Sequence, residues 1–162
     1  MRFALHFLPP AGRVEVTGVT ASANGYDTRV SGFGCAPNGC LPSNVLDNSI
    51  EPASRWSCKA ALPDIDVCEL TLEFDAPQDL IQMDMALYRG DKRIRSVKVW
   101  VDGVLLNTIT SSGETTDYET YPLVVRQASV VVLQAADLGD NEWLSITKVT
   151  PMHSAGMSPL RS

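Results

Sequence analysis

The sequence predicts an all-β domain of the sandwich or jelly-roll kind, and three observations carry that prediction. Apolar and polar residues alternate at period two in one segment after another. The segments are short and are separated by Gly, Pro, Asn and Asp turns at close intervals. Apolar residues at helical spacing are nearly absent.

The elements follow in order. "RVEVTGVTAS" (13–22) alternates cleanly and predicts the first strand. The stretch between Asn24 and Ala61 breaks the rhythm. Loops of that length are usually functional, or are held by cross-links and ions, and this one carries three of the four cysteines. Within it, "NVLDNSIEPASRWSC" (44–58) is too broken by Asp47, Asn48, Ser49 and Pro52 for a helix, and too polar for a strand before Arg55-Trp56. It predicts a structured loop that delivers Trp56 into the start of a strand and the core. "CELTLEFD" (68–75) sets Leu70, Leu72 and Phe74 on one face. "DLIQMDMALY" (79–88) spaces Leu80, Met83, Met85 and Leu87 as a strand with one slip, the mark of a bulge. "RSVKVWVDG" (95–103) sets Val97, Val99 and Val101 on one side, and Asp102-Gly103 turns it into the partner strand "VLLNTIT". "YETYPLVV" (118–125), "ASVVVLQAA" (128–136) and "WLSITKVTPM" (143–152) supply the remaining strands, with Tyr118 and Tyr121 as strand residues. Trp100 falls on the face opposite the valines, so it points outward or against a second sheet, where an exposed indole would mark a contact surface.

At 162 residues and 17.6 kDa the chain fits one domain with a substantial core. Residues 13–152 form that domain, residues 1–12 an N-terminal arm and residues 153–162 a tail or linker. The net charge of −6 argues against a nucleic-acid partner, which needs a basic surface. No apolar stretch approaches the roughly 18–20 residues that span a bilayer. "MRFALHFLPP" is shorter than a secretory apolar region, so either a precursor was trimmed or the chain is not secreted.

Cys35, Cys40, Cys58 and Cys68 allow three pairings. Proximity favours Cys35–Cys40 with Cys58–Cys68, each worth roughly 2–3 kcal/mol, and such bridges imply an oxidising compartment. Buried free thiols and a zinc site are the alternatives, although the spacing lacks the tight knuckles of common zinc modules. The only histidines, His6 and His153, lie in terminal segments, and no catalytic motif is present, so the chain reads as non-catalytic.

Asn44, Val45, Asp47, Ser54, Arg55 and Trp56, then Asp102-Gly103, then Asn141, Trp143, Ser145, Ile146 and Val149 stand in an order and spacing that resemble the discoidin, or coagulation factor 5/8 type C, superfamily. Within it the chain is most similar to family 32 carbohydrate-binding modules, over roughly residues 15–152. The resemblance implies an eight-stranded antiparallel jelly-roll β-sandwich, galactose-binding-domain-like, with ligand sites in the loops at one end. It implies a secreted module that binds a glycan and targets an associated enzyme. Two other roles compete: a protein-assembly subunit with the same jelly roll, and a small polysaccharide lyase.

The resemblance also implies a structural calcium ion near the first loop, with Asn44, Asp47 and Ser54 as candidate ligands. The matching acid of the last strand is Lys148 here, whose charge repels a cation unless it points to solvent. An Asx-type turn built on Asp47 is the competing reading. Glycan sites need a flat aromatic and planar polar groups, and an acidic sugar favours guanidinium. The most cationic stretch, "YRGDKRIR" (88–95), therefore nominates Tyr88, Arg89, Asp91, Lys92 and Arg93, against the alternative of a solvated turn. Tyr26 and Phe33 are second-rank aromatic candidates, Trp143 either stacks in the core near the loop end or serves as a glycan platform, and Arg55 is undecided between an acid partner and a ligand groove.

Overall fold

The structure, a computed structural model, describes residues 13–24, 34–35, 39–47, 49–59, 67–137 and 143–154. The described residues form eight strands: β1 (Arg13–Glu15), β2 (Val19–Ala23), β3 (Trp56–Lys59), β4 (Glu69–Leu87), β5 (Ser96–Val101), β6 (Val104–Thr110), β7 (Glu119–Asp137) and β8 (Trp143–Ser154). All pair antiparallel, in the order β1-β8-β4-β7-β5-β6, with β2 added to β4 and β3 to β8. This is the expected β-sandwich. The one helical element among the described residues is a 3-10 turn at Pro42–Leu46.

Three strand boundaries differ from the expectation, each for a local reason. The single strand over 13–22 is two, broken at Gly18, whose φ is +67° and where a Cβ would press on the Asp75 carboxylate. The strands expected at 68–75 and 79–88 are one continuous β4, bent where its register with β7 shifts between Glu73 and Gln82. Pro77 lies in that bend, where a missing N–H costs the ladder nothing. The strands expected at 118–125 and 128–136 likewise merge into β7, whose corner residue Gln127 has a φ of 53°. Asp79 accepts the Gln127 backbone N–H at 2.8 Å and so ties the two corners together.

Bent strands are what close the sandwich. The first half of β4 pairs with β2 and with residues 130–134 of β7; its second half pairs with β8 and the start of β7. Leu70, Leu72, Leu80, Met83 and Met85 therefore face one another across a single core with Val97, Val99, Leu133, Leu144 and Ile146. Trp56 is fully buried there, as its place at the start of β3 predicts. Asp102 (φ 47°) and Gly103 (φ +82°) make the tight β5–β6 turn. Trp100 lies opposite the valine face of β5, half-buried, and donates to Gln134 Oε1 at 3.3 Å.

The bridges are Cys35–Cys40 and Cys58–Cys68, the pairing that proximity favours. Cys58–Cys68 belongs to the main core, and Cys35–Cys40 forms a separate small cluster against Trp143. The tail expected from residue 153 does not begin there, because His153 and Ser154 are strand residues of β8 paired with Val14 and Arg13 of β1. The proposed arm at 1–12, Tyr26, Phe33, Asn141 and residues 155–162 lie outside the described residues. No helix of the described residues is long and apolar enough to cross a membrane.

Candidate functional site

Period-two geometry builds the floor of the site. Trp56 and Cys58 of β3, with Leu144 and Ile146 of β8, turn into the core, so Arg55, Ser57, Trp143 and Ser145 turn the other way. Ser57 and Ser145 are register partners, and their Oγ atoms lie 2.8 Å apart. Arg55 Nε donates to Ser57 Oγ at 3.2 Å, and its Nη1 donates to the Pro52 carbonyl.

The wall is the turn after β4. The Tyr88 backbone N–H donates to the Ser145 carbonyl at 3.1 Å, which hangs the turn over the floor. Arg89 has a φ of 55°, a left-handed conformation that costs a residue with a Cβ roughly 1–2 kcal/mol. The chain tightens there through Gly90 N–H to the Leu87 carbonyl, 3.1 Å, and Lys92 N–H to the Arg89 carbonyl, 2.9 Å. Gly90 is required because a Cβ would run into the Thr115 carbonyl oxygen.

Floor and wall enclose a cavity of about 190 Å³ lined by Arg55, Ser57, Tyr88, Arg89, Arg93, Trp143 and Ser145. Three guanidinium groups surround the Tyr88 ring, with Cζ atoms 4.2 Å (Arg55), 5.3 Å (Arg89) and 5.8 Å (Arg93) from its centroid. No carboxylate belongs to that lining among the described residues. Burial holds the Arg55 guanidinium below its ordinary range. The Tyr88 oxygen opposes that shift, and the charges of Arg89 and Arg93 add to it. Cations are thus gathered in one half-dry hollow of a chain whose net charge is −6. Trp143 is held from behind: it packs on the Cys35–Cys40 bridge, and its carbonyl accepts from Arg95 Nε at 2.8 Å.

A second, wider hollow of about 460 Å³ begins on the other side of the same wall. The two hollows share Tyr88 and Arg89, and Ile50, Glu51, Pro52, Leu87, Thr116 and Thr147 continue the second, so one carboxylate belongs to it.

Of the residues nominated from sequence, Tyr88, Arg89, Arg93 and Trp143 converge on the first cavity. Asp91 and Lys92 are exposed on the same turn and line neither hollow. Arg55, left undecided, is in the lining, while Ser57 and Ser145 were overlooked. Their signal was available as the polar half of two alternating strands, whose apolar halves are Trp56 and Cys58 in β3 and Leu144 and Ile146 in β8.

The first loop is arranged as an Asx turn. The Asp47 carboxylate accepts from the Ser49 N–H (2.9 Å) and from Ser54 Oγ. The Asn44 amide donates to the carbonyls of Gly39 (2.8 Å) and Arg55 (3.0 Å). The buried Lys148 ammonium donates to the Asp47 carbonyl.

No protein-family model matches this sequence, and no curated protein does. Solved structures match most of its length. The CBM32 of AlyQ in complex with 4,5-unsaturated mannuronic acid superposes with a TM-score of 0.70 at 23% identity, over 87% of this chain and 99% of that one. A truncated AlyQ with CBM32 and alginate lyase domains gives 0.71 at 23% identity over 89% of this chain, which spans 34% of that longer one. A pectin binding carbohydrate binding module gives 0.64 at 19% identity, covering 89% and 96%. The family 32 CBM from C. perfringens NanJ in complex with galactose gives 0.65 at 15% identity, covering 87% and 99%. The chain has the fold of these modules.

Proposed function

We propose that this domain is a non-catalytic carbohydrate-binding module that grips an anionic polysaccharide in the cavity of Arg55, Tyr88, Arg89, Arg93 and Trp143. The observation that carries the reading is the gathering of three arginines around one tyrosine ring at the cavity. Guanidinium forks match a carboxylate or sulfate bidentately, and the aromatic surfaces suit the apolar face of a sugar ring. The serine hydroxyls of the floor serve ring hydroxyls. Modules of this fold named for mannuronic acid and for pectin support an acidic sugar, whereas the galactose complex of NanJ keeps a neutral one as the competing outcome. The two disulfides suit secretion, and the lyase domain beside the AlyQ module suits a targeting role for a catalytic partner.

Calorimetric titration with alginate, pectin and galactan oligosaccharides at low and high salt tests this. Uronate oligomers are expected to bind, more weakly as salt rises because the pairing is electrostatic. Binding should also strengthen from one sugar to two or three, because the second hollow continues past Tyr88. Salt-insensitive binding of neutral galactosides alone would remove the anionic reading. Growth of absorbance from unsaturated sugar ends would replace a binding module by a lyase.

Arg89 separates binding from folding. Glycine accepts a φ of 55° without strain, so Arg89→Gly is expected to keep or raise stability by up to about 1 kcal/mol. The same change should weaken uronate binding roughly 10-fold through the lost fork. A variant both less stable and equally adhesive would mean that Arg89 shapes the turn and touches no ligand.

A further inference from the structure

The calcium ion that the family resemblance implies does not fit the donors of this chain. Calcium takes six to eight oxygens, mostly carboxylate and carbonyl. Among the described residues, no three His, Cys, Asp or Glu side chains are placed to share a metal ion. Both oxygens of the Asp47 carboxylate accept hydrogen bonds inside its own turn. A cation is nevertheless present at that joint. Lys148 is 3% exposed, and its ammonium donates to the Asp47 carbonyl while standing 4.0 Å from Glu15 Oε1.

We propose that the Lys148 ammonium is the resident cation of this joint and makes the domain independent of calcium. A buried lysine is costly unless its charge is compensated, and here the Asp47 carbonyl and the Glu15 carboxylate compensate it. It reaches from β8 to the first loop, where it meets the end of the 3-10 turn, and Glu15 on β1 supplies the opposite charge. From that point hydrogen bonds lead onward to the cavity. The Asp47 N–H donates to the Asn44 carbonyl at 3.4 Å, and the Asn44 amide donates to the Arg55 carbonyl at 3.0 Å. Lys148 thus fixes the end of the loop whose Asn44 amide holds the Arg55 carbonyl. Tethered to the chain, this cation cannot be stripped by a chelator or diluted away.

Thermal melting of the intact domain, with millimolar calcium or with EDTA, tests the inference without any glycan. The expected result is one Tm in both conditions for the native chain. Lys148→Met, of similar length and apolar, should melt roughly 5–10 °C lower with no response to calcium. Lys148→Glu places a carboxylate beside the Asp47 carbonyl, and should melt low in EDTA and recover in calcium. A native Tm that rises with calcium, or a Lys148→Met variant that melts at the native temperature, would overturn the proposal, as would a Lys148→Glu variant that calcium leaves unchanged. If Lys148→Glu does not fold in either condition, the first two measurements decide. A domain that passes these tests yet binds no uronate would leave the cation assignment standing and remove only the glycan reading.

Discussion

Replacing Arg55 with leucine is expected to weaken uronate binding about 30- to 100-fold, the range of a side chain at the centre of a desolvated interface. Arg55 is the most buried cation of the cavity, at 6% exposed, and its guanidinium lies closest to the Tyr88 ring, at 4.2 Å. Burial makes it the charge least screened by water, so each hydrogen bond that it gives to an anion counts for more. The like charges of Arg89 and Arg93 disfavour the protonated form, and a bound carboxylate would relieve that repulsion. Arg55→Lys keeps a positive charge but loses the planar fork, and is expected to fall between the native chain and Arg55→Leu. Calorimetry on alginate trisaccharide reads the affinity, and far-UV circular dichroism checks that the sheets persist. Equal binding by Arg55→Leu would show that the ligand site lies elsewhere.

Trp56→Ala is expected to cost about 3–5 kcal/mol of stability, the usual loss when a large aromatic leaves a packed core. Trp56 is 0% exposed and is the register partner of Ile146, so it seats β3 on β8. Urea denaturation monitored by circular dichroism measures the loss. Trp143 is the contrasting case in the same pair of strands. It is the register partner of Lys59, half-buried, and faces the cavity instead of the main core. Trp143→Ala should therefore cost binding more than stability. An Ala variant at Trp56 as stable as the native chain would mean that the core closes without it.

The two variants also show where sequence reading succeeds. Trp56 follows a loop of turn formers and precedes an alternating segment, so both its burial and the start of β3 were legible. The core valines of β5 and the Asp102-Gly103 turn were legible for the same reason, since period two is a local property of the chain. The bends of β4 and β7 were not. Each is a corner within one strand, and its turn-like residues look the same whether the strand ends or only changes layer.

The site divides in the same way. The cationic cluster of the 88–95 turn stood out by composition alone, because it is set in an acidic chain. Nothing in that stretch distinguishes Arg89 and Arg93, which line the cavity, from Asp91 and Lys92, which do not. That selection comes from the positive φ at Arg89 and the hydrogen bond from Tyr88 to Ser145.

By itself, then, the sequence determined the strand content, the inward-facing residues and the presence of a basic turn, and it favoured the neighbour disulfides, all of which depend on short-range periodicity and spacing. Only the tertiary structure decided that Arg55, Ser57, Trp143 and Ser145 share a floor beneath Tyr88, and that Lys148 reaches the Asp47 carbonyl. Those contacts join residues as far apart in sequence as the 88 positions between Ser57 and Ser145 or the 101 between Asp47 and Lys148. The physical reason is that strand pairing is chosen by the packing of the whole core, which no local pattern encodes.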